Sequence, residues 1–319
     1  MKALTFSSFG KPGVLEYIDV NEPVLKQDEI LVQMKAIGLN YADMMRRSGS
    51  YNVRGSAPYI NGYEGAGVVA DNNSHTEFKT GDRIGFADVP FANAEFVRVP
   101  VSHAIPLPDA IDFETAASVL LQGLSAHFLT TDCHKVTATE TVLVHAAAGG
   151  VGQIMIQICK KMGAKVIGLV SSEGKKRLAI SKGADIVYLY DETWKENILR
   201  LYPSGVDAVF DSIGNTIEES LHVTKVRGKV VFFGMAGGQF NLGDPLYLIG
   251  TSKTITGGDL WDYLTSREER IRRANQLFEW IINKDIQISE PVKFKLSDGK
   301  AAHEFMESRK STGKILLIP

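Results

Sequence analysis

The stretch Thr141-Val-Leu-Val-His-Ala-Ala-Ala-Gly-Gly-Val-Gly152 most constrains what this chain can become, because a short apolar strand runs into glycines and then directly into an amphipathic helix. Val151, Ile154, Met155, Ile158 and Met162 recur at helical spacing, and Gly163 stops the helix before a second apolar run at 166–170. That order is a βαβ unit. Against the dinucleotide fingerprint G-x-G-x-x-G the phase that fits is Ala147, Gly149, Gly152, with alanine in place of the first glycine. Gly149 lets the main chain approach a pyrophosphate, Gly152 lets the helix pack on the strand, and free N–H groups at the helix start favour an anion. The bare string also fits an ordinary tight turn; the strand before it and the helix after it favour phosphate binding.

Short apolar runs at 142–145, 166–170, 186–189, 206–210, 230–233 and 254–256 alternate with helical stretches. Six strands with helical crossovers imply an α/β fold, a doubly wound parallel sheet whose ligands sit beyond the carboxyl ends of the strands. The first hundred residues read differently, as β-rich, with strand-like runs at 29–36, 65–70 and 95–99 and a turn at Thr80-Gly-Asp-Arg83. A helix capped by Asp112 runs to Leu121. After the sheet come a helix at 265–283, a strand at 292–295, a helix at 299–309 and a closing strand at 314–318.

At 319 residues the chain exceeds one typical domain, and two are expected. A formal charge of −2 with no run of like charges gives no field for nucleic acid or an anionic membrane, so partners are expected to be small molecules. No segment approaches the roughly 18 apolar residues of a membrane span, and residues 1–13 lack a signal-peptide core, so a cytoplasmic location is expected. Cys133 and Cys159 are the two cysteines, too few for a disulfide framework or a cysteine-rich zinc site.

Cofactor choice is argued from the end of the second strand, where NAD-selective folds place an acid against the ribose hydroxyls. Here stand Ser171 and Ser172, followed by Lys175, Lys176 and Arg177, a corner suited to the 2′-phosphate of NADPH. A charge-assisted hydrogen bond contributes about 1.5–3 kcal/mol, so Lys175 alone supplies roughly ten- to hundredfold preference. A solvated basic helix face is the bland alternative, and Glu173 either faces away or reduces the preference.

Several motifs together carry a resemblance: Gly38-Leu-Asn-Tyr-Ala-Asp43 with Arg47-Ser-Gly-Ser-Tyr51, Gly62-Tyr-Glu-Gly-Ala-Gly67, Lys79-Thr-Gly-Asp-Arg83, the 145–152 turn, Asp211-Ser-Ile-Gly214 and Leu316-Leu-Ile-Pro319. The chain resembles, nearly end to end, the zinc-free, zeta-crystallin-like quinone oxidoreductases of the medium-chain dehydrogenase/reductase superfamily. The resemblance implies a GroES-like catalytic domain from residues 1–122 and 261–319, a Rossmann NADPH-binding domain at 123–260, a cleft between them and a homodimer.

It also implies a site. Ser125 would lie near the nicotinamide; Gly149, Gly150 and Val151 would bind the pyrophosphate; Ser171 and Lys175 would hold the 2′-phosphate; Tyr190 would contact the adenosine side; Phe233 and Gly234 would support the nicotinamide. Around the substrate it places Asn40, Asp43, Arg47 and Tyr51. Asn40 is expected to donate to a substrate carbonyl and Tyr51 to orient the substrate or relay a proton, with Asp43 paired to Arg47 to hold the loop. Tyr190 and Phe233 have plainer readings as a strand-end tyrosine and a core phenylalanine.

Where zinc relatives carry metal ligands this chain has Asn40, Tyr63 and Leu121, so no metal is expected, and the histidines, His75 among them, show no paired ligand spacing. Without a Lewis acid an isolated ketone is a poor substrate, whereas a quinone or α,β-unsaturated carbonyl spreads the arriving charge toward an oxygen that hydrogen-bond donors can meet. NADPH-dependent reduction of quinones or enones is therefore the expected activity, with a non-enzymatic NADPH-binding or scaffold protein as the alternative.

Overall fold

The computed structural model describes residues 1–74, 77–240 and 242–319, so His75, weighed above, lies outside the described residues. The chain opens with β1 (Lys2–Phe6), β2 (Leu15–Asp19) and the long β3 (Glu29–Leu39). Then come α1 (Tyr41–Ser48), β4 (Tyr59–Ile60), β5 (Glu64–Asp71), β6 (Arg83–Ala87), β7 (Phe96–Pro100), β8 (Ile105–Pro106) and α2 (Phe113–Phe128). Strands β9 (Thr141–Val144), β10 (Lys165–Val170), β11 (Ile186–Leu189), β12 (Val206–Asp211) and β13 (Thr224–Phe232) are separated by α3 (Gly150–Lys161), α4 (Glu173–Ser181), α5 (Trp194–Leu201) and α6 (Ile217–Val223). After α7 (Leu246–Thr251), β14 (Thr254–Gly257), α8 (Leu260–Tyr263) and α9 (Arg267–Ile282), the chain ends with β15 (Val292–Lys295), α10 (Gly299–Glu307) and β16 (Ile315–Ile318).

These elements form two compact units, one of Met1–Gln122, Leu264–Ile282 and Ile288–Pro319, the other of Gly123–Tyr263 and Asn283–Gln287. In the first, a seven-stranded sheet runs β15-β16-β3-β5-β6-β8 with β7 also on β3, beside a three-stranded sheet β2-β1-β4. β3 is the hub. Its alternation puts Ile30, Val32 and Met34 inside with Phe86 and Leu317, each such side chain contributing about 1.5–3 kcal/mol by burial. Its far end pairs with the terminal strand, Gly38 opposite Leu316, which brings residues from both chain ends together.

The second unit is the expected doubly wound α/β layer: the six apolar runs are six parallel strands in the order β11-β10-β9-β12-β13-β14. The order reverses between β9 and β12. Helices cover such a sheet, so Val142, Leu143, Val144, Ile167 and Leu169 are buried in near-continuous runs rather than alternating. Alanine replaces the first fingerprint glycine at no steric cost because β10 offers Gly168 opposite, where an added β-carbon would stand 2.9 Å from that of Ala147. Gly152 is required for close packing, since a β-carbon there would fall 2.5 Å from the Ala146 carbonyl oxygen. Among the described residues no helix is long and apolar enough to cross a membrane.

Candidate active site

In the second unit the glycine turn delivers the chain to the first turn of α3, with Gly149 as N-cap. Gly149, Gly150 and Val151 stay half-buried while Gly152 through Cys159 are buried, so the helix start remains open to a ligand and its body does not. Unpaired N–H groups there suit a pyrophosphate. One strand over, at the end of β10, Lys175 Nζ lies 3.3 Å from Ser171 Oγ, so two residues predicted to share the 2′-phosphate are side by side. Ser172 caps α4 by accepting the Lys175 N–H at 3.4 Å, and Glu173 is exposed at the helix's first position. A cation, a hydroxyl and a helix N-terminus in one corner fit a phosphate monoester.

Tyr190 follows β11, but its hydroxyl is turned inward: it accepts from the Ala146 N–H at 3.0 Å and lies 3.1 Å from His145 Nδ1. Burial pushes that phenol far up. Only the ring is left to face an adenosine. Phe233 and Gly234 come directly after β13 and are half-buried, so Phe233 is not a core residue; its N–H donates to the Asp211 carbonyl at 3.0 Å. Ser125 is half-buried on α2. A pocket of about 500 Å³ in this unit, lined by Lys195, Glu218, His222 and Tyr247 among others, includes none of these residues.

In the first unit the Gly38–Asp43 motif proves to be a strand end followed by a helix. Asn40 is the N-cap of α1, and the carboxylate of Asp43, the third helical residue, accepts the Asn40 N–H at 2.9 Å, while the Asp43 N–H donates to the Asn40 main-chain carbonyl at 3.0 Å. The expected Asp43–Arg47 pair is not formed. Asp43 pairs with Arg46, one helical turn on at 3.2 Å, and Arg47, rotated to the next face, is 2% exposed and bonds Glu307. Arg47 is therefore removed from the substrate-facing set. Burial raises the Asp43 carboxyl, against the pull of Arg46.

Asn40 also departs from expectation. Its amide nitrogen donates to Glu64 Oε2 at 2.8 Å and to the Gly38 carbonyl at 3.1 Å, which uses both hydrogens, and its Oδ1 accepts from Lys314 Nζ at 2.8 Å. The ammonium dictates that orientation, because the flipped amide would turn its own hydrogens toward a cation. No donor remains for a substrate carbonyl. Glu64, fully buried, further accepts from Lys314 and from the Leu121 N–H at 2.7 Å, and Gly38 makes room for it, since a β-carbon there would lie 2.4 Å from the carboxylate. Asn40 is thus engaged by a carboxylate and a lysine, and the Leu121 N–H by the same carboxylate.

Tyr51 is 38% exposed. The Arg46 guanidinium lies 3.7 Å from the Tyr63 ring centroid and 5.0 Å from that of Tyr51, and Arg46 Nε donates to the Asn52 carbonyl at 3.2 Å. Arg46 thereby fixes the segment that carries Tyr51. Sequence reasoning missed Arg46 and Lys314; the Asp43-to-Arg46 spacing signals the first once a helix is recognised, and nothing local signals the second. Among the described residues no three His, Cys, Asp or Glu side chains are grouped to hold a metal ion.

Comparison with known proteins adds ancestry to this geometry. The family described as alcohol dehydrogenase GroES-like domain matches residues 26–109, and that described as zinc-binding dehydrogenase matches residues 150–280. The chain is 37% identical to a quinone oxidoreductase of Pseudomonas aeruginosa over 100% of its own length and 99% of the relative's. It is 32% identical to a 2-haloacrylate reductase of a Burkholderia species, covering 96% and 95%. The crystal structure of Escherichia coli quinone oxidoreductase complexed with NADPH superposes with a TM-score of 0.95 at 34% identity, covering 100% of both chains. Shared descent over the whole length, in both the GroES-like and the nucleotide-binding parts, places the chain in the quinone oxidoreductase family of the medium-chain dehydrogenase/reductase superfamily.

Proposed function

We propose that this protein is an NADPH-dependent reductase of quinones and of activated α,β-unsaturated carbonyls that works without a metal. The observation that carries the reading is the use made of the three ligand places: the Asn40 amide is engaged by Glu64 and Lys314, the Tyr63 ring by Arg46, and Leu121 offers only a main-chain N–H. Leu121 brings no side-chain ligand atom, and the Asn40 amide oxygen already accepts from the Lys314 ammonium. Relatives named for quinones and for a haloacrylate agree with conjugated acceptors.

Gly149, Gly150 and Val151 would hold the pyrophosphate of NADPH, Ser171 and Lys175 its 2′-phosphate, and Phe233, Gly234 and Ser125 its nicotinamide end. When bound, the cofactor supplies a hydride. The chain's own task is to position the acceptor and meet the charge on its oxygen. Tyr51, exposed and braced by Arg46, is the donor we assign to that oxygen, in place of Asn40. Asp43 and Arg46 act through the loop they hold.

A homodimer is proposed on the outer edge of β14, which has no strand partner among the described residues, and the adjacent α7, whose Leu246 and Ile249 are 67% and 76% exposed. A cytoplasmic location is proposed on two free, buried thiols. A turnover panel of a naphthoquinone, an enone and a secondary alcohol tests the activity. Tight NADPH binding without turnover of any of them would favour a binding protein instead.

A further inference from the structure

Between the glycine turn and the Asp211 turn lies a run of hydrogen bonds in which every hydrogen can be assigned. Ala146 holds φ 47°, a left-handed conformation that needs support in a residue with a β-carbon. Its N–H donates to Tyr190 Oη at 3.0 Å. The tyrosine hydrogen must then go elsewhere, and His145 Nδ1 is 3.1 Å away. With Nδ1 accepting, the neutral imidazole carries its hydrogen on Nε2, which donates to Ser220 Oγ at 3.0 Å. Ser220 Oγ donates in turn to Asp211 Oδ2 at 2.6 Å. Burial holds the His145 imidazole below its ordinary range, against the pull of Asp211, so this neutral tautomer persists.

The far end of the run is equally tied down. Asp211 Oδ1 accepts the N–H groups of Ile213 and Gly214 at 2.8 and 3.1 Å, shaping the turn after β12. The carbonyls of Asp211, Ser212 and Ile213 accept from Phe233, Ala236 and Gly237 at 3.0, 3.1 and 2.8 Å. One continuous set of bonds therefore links the pyrophosphate turn to the segment that begins with Phe233 and Gly234.

We propose that Tyr190 and His145 are positioning residues for the cofactor, locking the Ala146 peptide at the glycine turn and coupling it through Ser220 and Asp211 to the 233–237 segment. The inference rests on the NADPH reading above. Neither residue needs to touch the cofactor. A turn already fixed loses less entropy on binding, so its gain appears as affinity.

Tyr190→Phe removes one oxygen and keeps the ring. NADPH, titrated by nicotinamide fluorescence, should bind about tenfold more weakly to this variant, because the loosened turn must be ordered when the ligand binds. Adenosine 2′,5′-bisphosphate, which lacks pyrophosphate and nicotinamide, should bind within about twofold of wild type by calorimetry. Ser220→Ala, which cuts the run at its last link, should show the same split with a smaller change if Tyr190→Phe does not fold. Unchanged NADPH affinity, or equal weakening of both ligands, overturns the proposal. Wild-type protein that binds neither ligand overturns the NADPH reading and this inference with it.

Discussion

Lys314 Nζ meets Glu64 Oε2 at 2.5 Å with both side chains essentially inaccessible to water, joining the residue just before β16 to the first residue of β5 across 250 residues. Two buried charges of opposite sign, with Asn40 bonded to both and the Leu121 N–H on the other carboxylate oxygen, form a closed polar island. Its members have a partner for nearly every bonding direction, the condition under which a buried ion pair is tolerated.

Removing one charge strands the other. Lys314→Met should destabilise the protein by about 3–5 kcal/mol, because Glu64 is left buried and unpaired. The double variant Lys314→Met/Glu64→Gln should recover part of that loss. Urea unfolding midpoints check this, and a single variant as stable as wild type would remove the island from the account.

Asn40→Ala separates a structural role from a catalytic one. With both amide hydrogens already engaged, the variant should lose about 1–3 kcal/mol of stability by leaving Lys314 and Glu64 each short of a partner. At a temperature where the variant is folded, kcat/KM should change no more than severalfold. A fall of a thousandfold in a fully folded variant would return Asn40 to the substrate.

Acid should weaken the fold through His303. Burial, with Arg47 adding to it, pushes this imidazole from 6.5 down to about 3. As pH falls below about 6.5 the unfolded chain takes up a proton that the native state refuses, so stability drops by about 1.4 kcal/mol per pH unit toward pH 3 and is fully present above the unfolded value. His103, pushed down to about 4 by burial and by Arg270, contributes with the same sign over a narrower window. Unfolding midpoints at pH 7, 5.5 and 4.5, the choice set by that window, should fall less steeply for His303→Leu than for wild type; parallel curves would contradict it.

Cofactor preference should reside in Lys175. Lys175→Ala removes the ammonium beside Ser171 and should reduce the ratio of NADPH to NADH affinity roughly ten- to hundredfold, chiefly by weakening NADPH. Titration of both dinucleotides reads the ratio. An undiminished ratio would assign the 2′-phosphate to other residues.

Much of the second unit was legible because its signals are local. A strand, a glycine turn and an amphipathic helix lie within about twenty residues, and buried parallel strands advertise themselves as apolar runs. Ser171 directly precedes the N-cap of α4 and Lys175 lies in its first turn, so their juxtaposition also follows from closeness in sequence. The first unit hides its logic in distance. α1 is short and half of its eight residues are polar or charged, so it gives little apolar periodicity, and without a recognised helix nothing in the sequence directs Asp43 to Arg46 rather than to the expected Arg47. Lys314 reaches Asn40 only through the pairing of β16 with β3, which no periodicity announces. Nor does a sequence show that the Tyr190 hydroxyl faces Ala146 rather than a ligand.

The central claim, conjugated carbonyl reduction by NADPH without a metal, is tested most directly by steady-state reduction of a naphthoquinone before and after exhaustive chelation. The account predicts NADPH-dependent turnover that chelation leaves unchanged, with a secondary alcohol and NADP⁺ giving little or none. Inert quinone beside rapid alcohol oxidation, or turnover lost to chelator and restored by zinc, would contradict it.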